Sequence, residues 1–269
     1  MCFNVTDNTV ALTMAINDFN ATYHQDYFTV RAEAHDYLSK SPSTASASRL
    51  APVLIRVLKD WGSGKRGAPA CQSVDVAAKA LCNAALHEKL VKLARSFEYL
   101  SLTDGERSLK DDAPFKTVKD FDVCLIEALR ELAVALLVGN TNVTYPMKAL
   151  LLITGLMPAF DSQVRGGLHV AGLSGFGYRN GQPRTRYLVP THGSADARRI
   201  CVLPFYIAEC ISRVRPFLDA AIANSSYPTL KGQDGRLFDI LLFVQRRLAP
   251  ETALISFSTT QVFRPWYAI

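Results

Sequence analysis

Apolar residues recur every three or four positions through much of this chain. The clearest stripe consists of Leu50, Val53, Leu54, Val57, Leu58 and Trp61. Comparable stripes run from Val76 to Phe97 and from Phe121 to Leu136. This spacing places apolar side chains along one face of an α-helix, so each stripe predicts a helix that buries that face. With 49% hydrophobic and 20% charged residues, the chain has enough apolar surface for a sizeable core.

These patterns predict a mainly α-helical fold, compact and bundle-like, with at most a small β element near the C-terminus. The polar segment 101–120 interrupts the apolar stripes and contains Gly105 and Pro114. Such a composition predicts a connecting loop between an N-terminal helical lobe, residues 1–100, and a C-terminal helical lobe, residues 121–269. Residues 254–263 alternate and are rich in β-branched side chains, which predicts a strand with residues 186–189 as its candidate partner.

The segment from Leu132 to Phe160 contains a single charged residue, Lys148. We expect so apolar a stretch to form a buried central hairpin, a turn followed by a helix from Pro146 to about Met157. The amine in this setting must reach water or find a polar partner. The nearest acid in the sequence is Asp161, which is well placed to cap the next helix.

Two interpretations of this pair remain open. In the first, Lys148 and Asp161 meet as a catalytic pair, and Arg165, one helical turn beyond Asp161, lines the same polar pocket. In the second, Asp161 is only a helix cap, and Lys148 extends its ammonium group into solvent from the first turn of its own helix. The two interpretations predict different burial of the lysine side chain.

A lysine on an apolar helix, a proline turn at Pro158 and an aspartate that caps the following helix resemble the catalytic half of the helix-hairpin-helix DNA glycosylases. The resemblance covers the segment from Lys148 to Val164. It implies that Asp161 assists base excision and that Lys148 attacks the sugar. The chain departs from the family in two respects, because no glycine-rich hairpin precedes Lys148 and the interval between the lysine and the aspartate is shorter.

Positive charge is concentrated in the window from Arg165 to Arg215. It holds eight arginines, no lysine and two acids, Asp196 and Glu209, so its net charge of +6 equals that of the whole chain. Guanidinium groups favour planar, bidentate partners such as phosphate, and interleaved aromatic rings can stack on unpaired bases. The ligand-binding candidates are therefore Arg165, Tyr178, Arg179, Arg184, Arg186 and Tyr187. The alternative is a solvated loop whose arginines pair with acids of segment 101–120.

Other features limit the class of function. The five histidines are scattered and the six cysteines form no C-x-x-C pair, so we expect no metal, no cofactor and free thiols in a reducing compartment. The N-terminal residues lack the basic and apolar regions of a secretory signal, and the longest uncharged apolar run, Ala149 to Phe160, is shorter than the roughly 20 residues of a membrane span. We therefore expect a cytoplasmic location and no membrane partner.

The sequence thus leads to a hypothesis about function and to one alternative. The hypothesis is a cytoplasmic helical protein that binds nucleic acid or another phosphorylated ligand through its arginines, with nucleic-acid processing as the reaction if it is an enzyme. The alternative is a non-enzymatic interaction module, monomeric or a homodimer, that docks an acidic protein. Convergence of Lys148, Asp161 and Arg165 on one concave site would favour the hypothesis, and a flat exposed apolar patch would favour the alternative.

Overall fold

The computed structural model describes residues 2–65, 67–140, 142–173, 178–179, 182–183, 188–248 and 252–258. In these ranges the chain forms ten α-helices: α1 Thr9–Asp18, α2 Ala21–Ser39, α3 Thr44–Asp60, α4 Val74–Leu81, α5 Ala84–Ala94, α6 Val118–Leu136, α7 Thr144–Thr154, α8 Ser162–Val170, α9 Ala195–Ala223 and α10 Asp234–Gln245. The short strands are β1 Cys2–Val5, β2 Leu100–Thr103, β3 Glu106–Leu109, β4 Tyr178–Arg179, β5 Gln182–Pro183 and β6 Ile255–Ser258. The predicted mainly α-helical, compact fold is confirmed.

Helix α7 occupies the centre of the molecule. All its residues from Tyr145 to Thr154 are buried, and helices α2, α3, α5 and α6 pack around it. The buried helix predicted after Pro146 is therefore confirmed, whereas Val134 and Val138 of the same apolar segment are exposed. Burial of leucine, isoleucine and alanine side chains on every face of the helix removes a large apolar area from water, which stabilises the core. None of the helices in the described ranges combines the length and the apolar character that crossing a bilayer requires.

The polar segment 101–120 contains an antiparallel hairpin, which the sequence did not predict. Strands β2 and β3 pair Leu100 with Leu109 and Thr103 with Glu106. The turn between them uses positive φ angles at Asp104 and Gly105, which aspartate and glycine tolerate better than most residues.

The strand predicted near the C-terminus is confirmed as β6, but its predicted pairing with residues 186–189 is wrong. Strand β6 pairs with β1, in antiparallel register from Cys2 opposite Ser258 to Val5 opposite Ile255. Phe3 and Phe257 lie opposite each other, with ring centroids 5.3 Å apart and edge-to-face geometry. This aromatic contact stabilises the β1–β6 register.

Helix α10 contacts its neighbours through glycines. A Cβ atom at Gly167 of α8 would lie 2.0 Å from the carbonyl oxygen of Leu242, and one at Gly235 would lie 2.3 Å from the carbonyl oxygen of Gly155. No side chain therefore separates α10 from the backbone of α8 or from the turn that joins α7 to α8. These contacts fix α10 beside the turn that leads to Asp161.

Candidate functional site

A cavity of about 910 Å³ opens between helices α7, α8 and α10 and the loop that follows α3. Lys148 of α7, Asp161 at the start of α8 and Arg165 of α8 all line it. Its aromatic lining consists of Phe19, Tyr23, Trp61, Tyr145 and Phe243. The structure thus brings together, on one concave surface, three polar residues that the sequence associated with a common pocket.

Lys148 is buried in the wall of this cavity, with 7% of the residue exposed. Its ammonium group donates a hydrogen bond to the carbonyl oxygen of Trp61 at 2.9 Å and lies 3.6 Å from Oδ2 of Asp161. Nζ also lies over the ring of Tyr145, 5.1 Å from its centroid. The prediction of a lysine extended into solvent is therefore wrong, because a carbonyl, a carboxylate and an aromatic face replace water around the charge.

Asp161 has two separate roles in the structure. Its Oδ1 accepts hydrogen bonds from the amides of Gln163 at 2.9 Å and Val164 at 3.0 Å, so the predicted helix cap is confirmed. Its Oδ2 faces Lys148 across the cavity wall. Capping fixes the orientation of the carboxylate, which leaves one oxygen directed toward the ammonium group.

Trp61 supports Lys148 from the opposite side. Its indole Nε1 donates to Oδ2 of Asp26 at 3.0 Å, and the other oxygen of this buried carboxylate accepts a hydrogen bond from Arg56 at 3.2 Å. The hydrogen bond to Asp26 fixes the indole ring and, with it, the backbone carbonyl that Lys148 contacts. The apolar stripe of α3 predicted that Trp61 is buried, but it contained no information about this polar function.

Tyr145 is a further cavity residue that the sequence did not single out. Burial raises the pKa of its phenol to about 12, and the negative charge of Asp161 contributes in the same direction. The hydroxyl group therefore remains protonated at neutral pH and can donate a hydrogen bond to a ligand. Its position three residues before Lys148, on the same helical face, is the pattern that could have identified it.

Arg236 and Asp239 form a buried ion pair on α10, with 2.6 Å between the guanidinium group and Oδ2. The guanidinium carbon also lies over the rings of Phe19 and Trp61, at 4.8 Å and 5.4 Å from their centroids. Burial raises the pKa of Asp239 to about 6, against the opposing effect of Arg236. The sequence contained one indication of this pair, an arginine and an aspartate at i and i+3 within an apolar helix.

The predicted ligand-binding residues are only partly within the described ranges. Arg165 is buried, and its Nε donates to the backbone carbonyl of Asp161 at 3.3 Å. Tyr178 and Arg179 form strand β4, which pairs with β5. The side chains of Tyr178 and Arg179, and residues Arg184, Arg186 and Tyr187, lie outside the described part of the structure.

Three further arginines of the same window are paired with carboxylates. The pairs are Arg199 with Asp196 at 2.9 Å, Arg213 with Glu209 at 2.6 Å and Arg215 with Asp234 at 2.7 Å. These guanidinium charges are already balanced, so their contribution to a shared anion-binding surface is small. Among the described residues of this window, Arg165 is the arginine that lines the cavity. The positive charge of the window is therefore not gathered on one surface of the described structure.

The rim of the cavity contains both apolar and polar residues. Val138 and Leu188 are 54% and 53% exposed, and both line the opening. Asn142 forms an isolated β-bridge with Leu188, and this bridge connects the start of α7 to the chain that precedes α9. A ligand entering here meets apolar side chains first and the charged groups deeper inside.

The fold and the site place this chain in a structural class: mainly α-helical proteins whose polar, aromatic-lined cavity holds a buried lysine and an aspartate. No protein-family model, curated protein or solved structure matches this chain. Among the described residues, no three histidine, cysteine, aspartate or glutamate side chains come close enough together to hold a metal ion. The function must therefore be inferred from the residues of the cavity themselves.

Proposed function

We propose that this protein binds nucleic acid or another phosphorylated ligand in the cavity, and that Lys148 and Asp161 act on it. The supporting observation is the 3.6 Å separation of Lys148 Nζ from Asp161 Oδ2 on the wall of a cavity of about 910 Å³. Oppositely charged side chains buried in a concave site are common among reactive groups. A cytoplasmic location, inferred from the cysteine pattern, is part of the proposal.

The charge of the cavity favours an anionic ligand. Its lining contains the cations Lys148, Arg165 and Arg236 and the acids Asp161 and Asp239, which leaves one positive charge in excess. Buried cations interact more strongly with an incoming anion than exposed ones do, because less water screens them.

The aromatic lining favours a ligand with a planar group. Tyr23 and Trp61 line the cavity with ring centroids 5.4 Å apart, and an aromatic side chain that stacks on a base contributes about 1–3 kcal/mol. A nucleotide carries both a planar base and a phosphate, so it uses both properties of the cavity. For this reason we place nucleic acid and nucleotides first among phosphorylated ligands.

Lys148 can transfer a proton to Asp161 and then form a covalent bond with a ligand. An amine must lose its proton before it attacks a carbonyl carbon, and the carboxylate of Asp161 is the adjacent acceptor. On a base-free nucleotide, the free amine of Lys148 would add to the aldehyde carbon C1′ of the ring-opened sugar. The carbonyl oxygen would leave as water, and an imine would remain. The resemblance to helix-hairpin-helix DNA glycosylases supports this chemistry.

Trapping with borohydride tests the proposal. Wild-type protein would be incubated with a labelled single-stranded oligonucleotide that contains one abasic site, and borohydride would reduce any imine to a stable amine. We expect a covalent adduct with the wild type and none with Lys148→Met. Lys89→Met is the matched control, because Lys89 also pairs with a carboxylate, Glu131 at 2.6 Å, but does not line the cavity; it should retain the adduct.

Binding of the intact oligonucleotide should weaken steeply as salt is added, since phosphate contacts release counterions. Binding that is unchanged by salt, or by Lys148→Met, would contradict the proposal. Failure to bind any phosphorylated ligand would favour the alternative, a homodimeric or acidic-partner docking module. The exposed apolar side chains of Val10 and Met14, at successive turns of α1, would be its first candidates for contact.

A further inference from the structure

The relative position of Lys148 and Asp161 depends on a turn without regular structure. Residues 155–160 join the end of α7 to the Asp161 cap of α8. Lys148 lies within α7 and Asp161 at the far end of the turn, so any movement of the turn changes the distance between them. The turn must therefore be fixed by groups outside it if the two side chains are to remain adjacent.

Asp239 of α10 supplies one of these contacts. Its Oδ1 accepts a hydrogen bond from the backbone amide of Ala159 at 2.8 Å, and the carbonyl of Ala159 accepts one from the amide of Asp161 at 2.7 Å. The first turn of α10 also touches the chain at Gly155 through Gly235, with no side chain between them. Asp239 is thus two hydrogen bonds away from the backbone of Asp161.

Arg236 contacts the opposite side of the pair. Its guanidinium group is bonded to Asp239 at 2.6 Å and donates to the carbonyl of Tyr23 at 3.0 Å. It also lies over the ring of Trp61, the residue whose carbonyl accepts the ammonium hydrogen bond of Lys148. One buried guanidinium group therefore touches the support of Asp161 and the support of Lys148.

From these contacts we infer that Arg236 and Asp239 are positioning residues, which hold Lys148 and Asp161 at their working separation. This inference rests on the proposed function of the pair. A buried ion pair is a weak source of stability, because its desolvation offsets most of its attraction. Its distinctive effect here is geometric, since it joins α10 to both walls of the reactive site.

The test is a spectroscopic measurement on Lys148 that requires no ligand. Protein with ¹³C-labelled lysine would give a Cε–Hε signal for each lysine, and Lys148→Arg would identify that of Lys148 by its loss. Because this side chain lies over the rings of Tyr145 and Trp61, its signal should be displaced upfield from those of exposed lysines. The size of this displacement reports how closely the Lys148 side chain lies against the rings of Tyr145 and Trp61.

We expect the Lys148 signal to move toward that of exposed lysines in Arg236→Met and in Asp239→Ala. Smaller movements are expected in Arg236→Lys, which keeps a charge beside Asp239, and in Asp239→Asn, which keeps an acceptor for Ala159. The matched control is Arg107→Met, because Arg107 also pairs with an aspartate and lies over an aromatic ring, Phe205. This control should lose stability and leave the Lys148 signal unchanged.

A Lys148 signal at the wild-type position in folded Arg236→Met and Asp239→Ala would overturn the inference. If those two variants do not fold, Arg236→Lys and Asp239→Asn decide in the same way. Failure of the abasic oligonucleotide to form an adduct would overturn the proposed function instead. The two failures are distinguishable, because the Lys148 signal is recorded without oligonucleotide.

Discussion

At the scale of single residues, Asp161 combines a structural and a chemical role, and these can be separated by substitution. Asparagine and aspartate are comparable helix caps, whereas alanine is a poor one. Both substitutions also remove the carboxylate beside the buried ammonium group of Lys148, which destabilises both variants. We therefore predict that the free energy of unfolding of Asp161→Ala is about 1 kcal/mol lower than that of Asp161→Asn, because only asparagine keeps the cap. Both variants should lose the borohydride adduct, because neither side chain can accept the proton of Lys148.

Urea denaturation of the two variants checks this separation of roles. If Asp161→Asn were as destabilised as Asp161→Ala, the carboxylate charge rather than the cap would carry the stability. If Asp161→Asn kept the adduct, the carboxylate would have no part in the chemistry. The second result would require another acceptor for the ammonium proton.

The polar residues of the site differ in how far the sequence could identify them. Lys148 and Asp161 are separated by one helix and one turn, so local patterns made their proximity one of two interpretations of the sequence. Arg236 and Asp239 follow much later in the chain and reach the cavity only because α10 packs against α8. No local pattern specifies that packing, so the positioning pair could not be predicted with the reactive pair.

At the scale of elements, the contact between α8 and α10 depends on the absence of a side chain at Gly167. We predict that Gly167→Ala lowers the free energy of unfolding by about 2 kcal/mol, because the added Cβ would meet the Leu242 backbone and separate the helices. Gly166→Ala is the matched comparison on the same helix. Its Cβ would meet the side chain of Arg246, which can move, so it should cost less.

Thermal or urea unfolding of the two glycine variants measures this difference. Equal losses in both would show that helix α8, rather than its contact with α10, limits the substitution. In Gly167→Ala we also expect the Lys148 signal to move, since the displaced α10 carries the positioning pair.

Helix α9 shows why element boundaries could not all be predicted. Pro216 favours the start of a separate helix, but α9 runs from Ala195 to Ala223 with both Pro204 and Pro216 inside it. Each proline removes one backbone hydrogen bond. Buried neighbours such as Phe205 and Leu218 offset that loss by packing against the core, which a local pattern does not represent.

At the scale of the whole molecule, two buried groups should give opposite dependences of stability on pH. Burial lowers the pKa of His24 to about 4 from 6.5, so its contribution is present above pH 6.5 and is lost as the pH falls toward 4. Burial raises the pKa of Asp239 to about 6 from 3.8, so its contribution is present below pH 3.8 and is lost as the pH rises toward 6. Each is worth about 3 kcal/mol over its range.

Substituting either His24 or Asp239 should therefore expose the pH dependence of stability that the other residue contributes. As the pH falls from 6.5 to 4, Asp239→Asn should lose stability more steeply than the wild type, and His24→Phe should gain stability. Urea unfolding at several pH values within this interval provides the slopes. Parallel curves for the wild type and Asp239→Asn would contradict the raised pKa of Asp239.

The proposed function requires a ligand to enter the cavity beside Lys148, and the Cε–Hε signal of Lys148 reports that event directly. The abasic oligonucleotide would be titrated into ¹³C-lysine-labelled protein without borohydride, and the signals of all lysines followed. We predict that the Lys148 signal moves in proportion to binding, while that of Lys89 stays in place. Binding of the oligonucleotide with an unmoved Lys148 signal would place the ligand elsewhere and contradict the account.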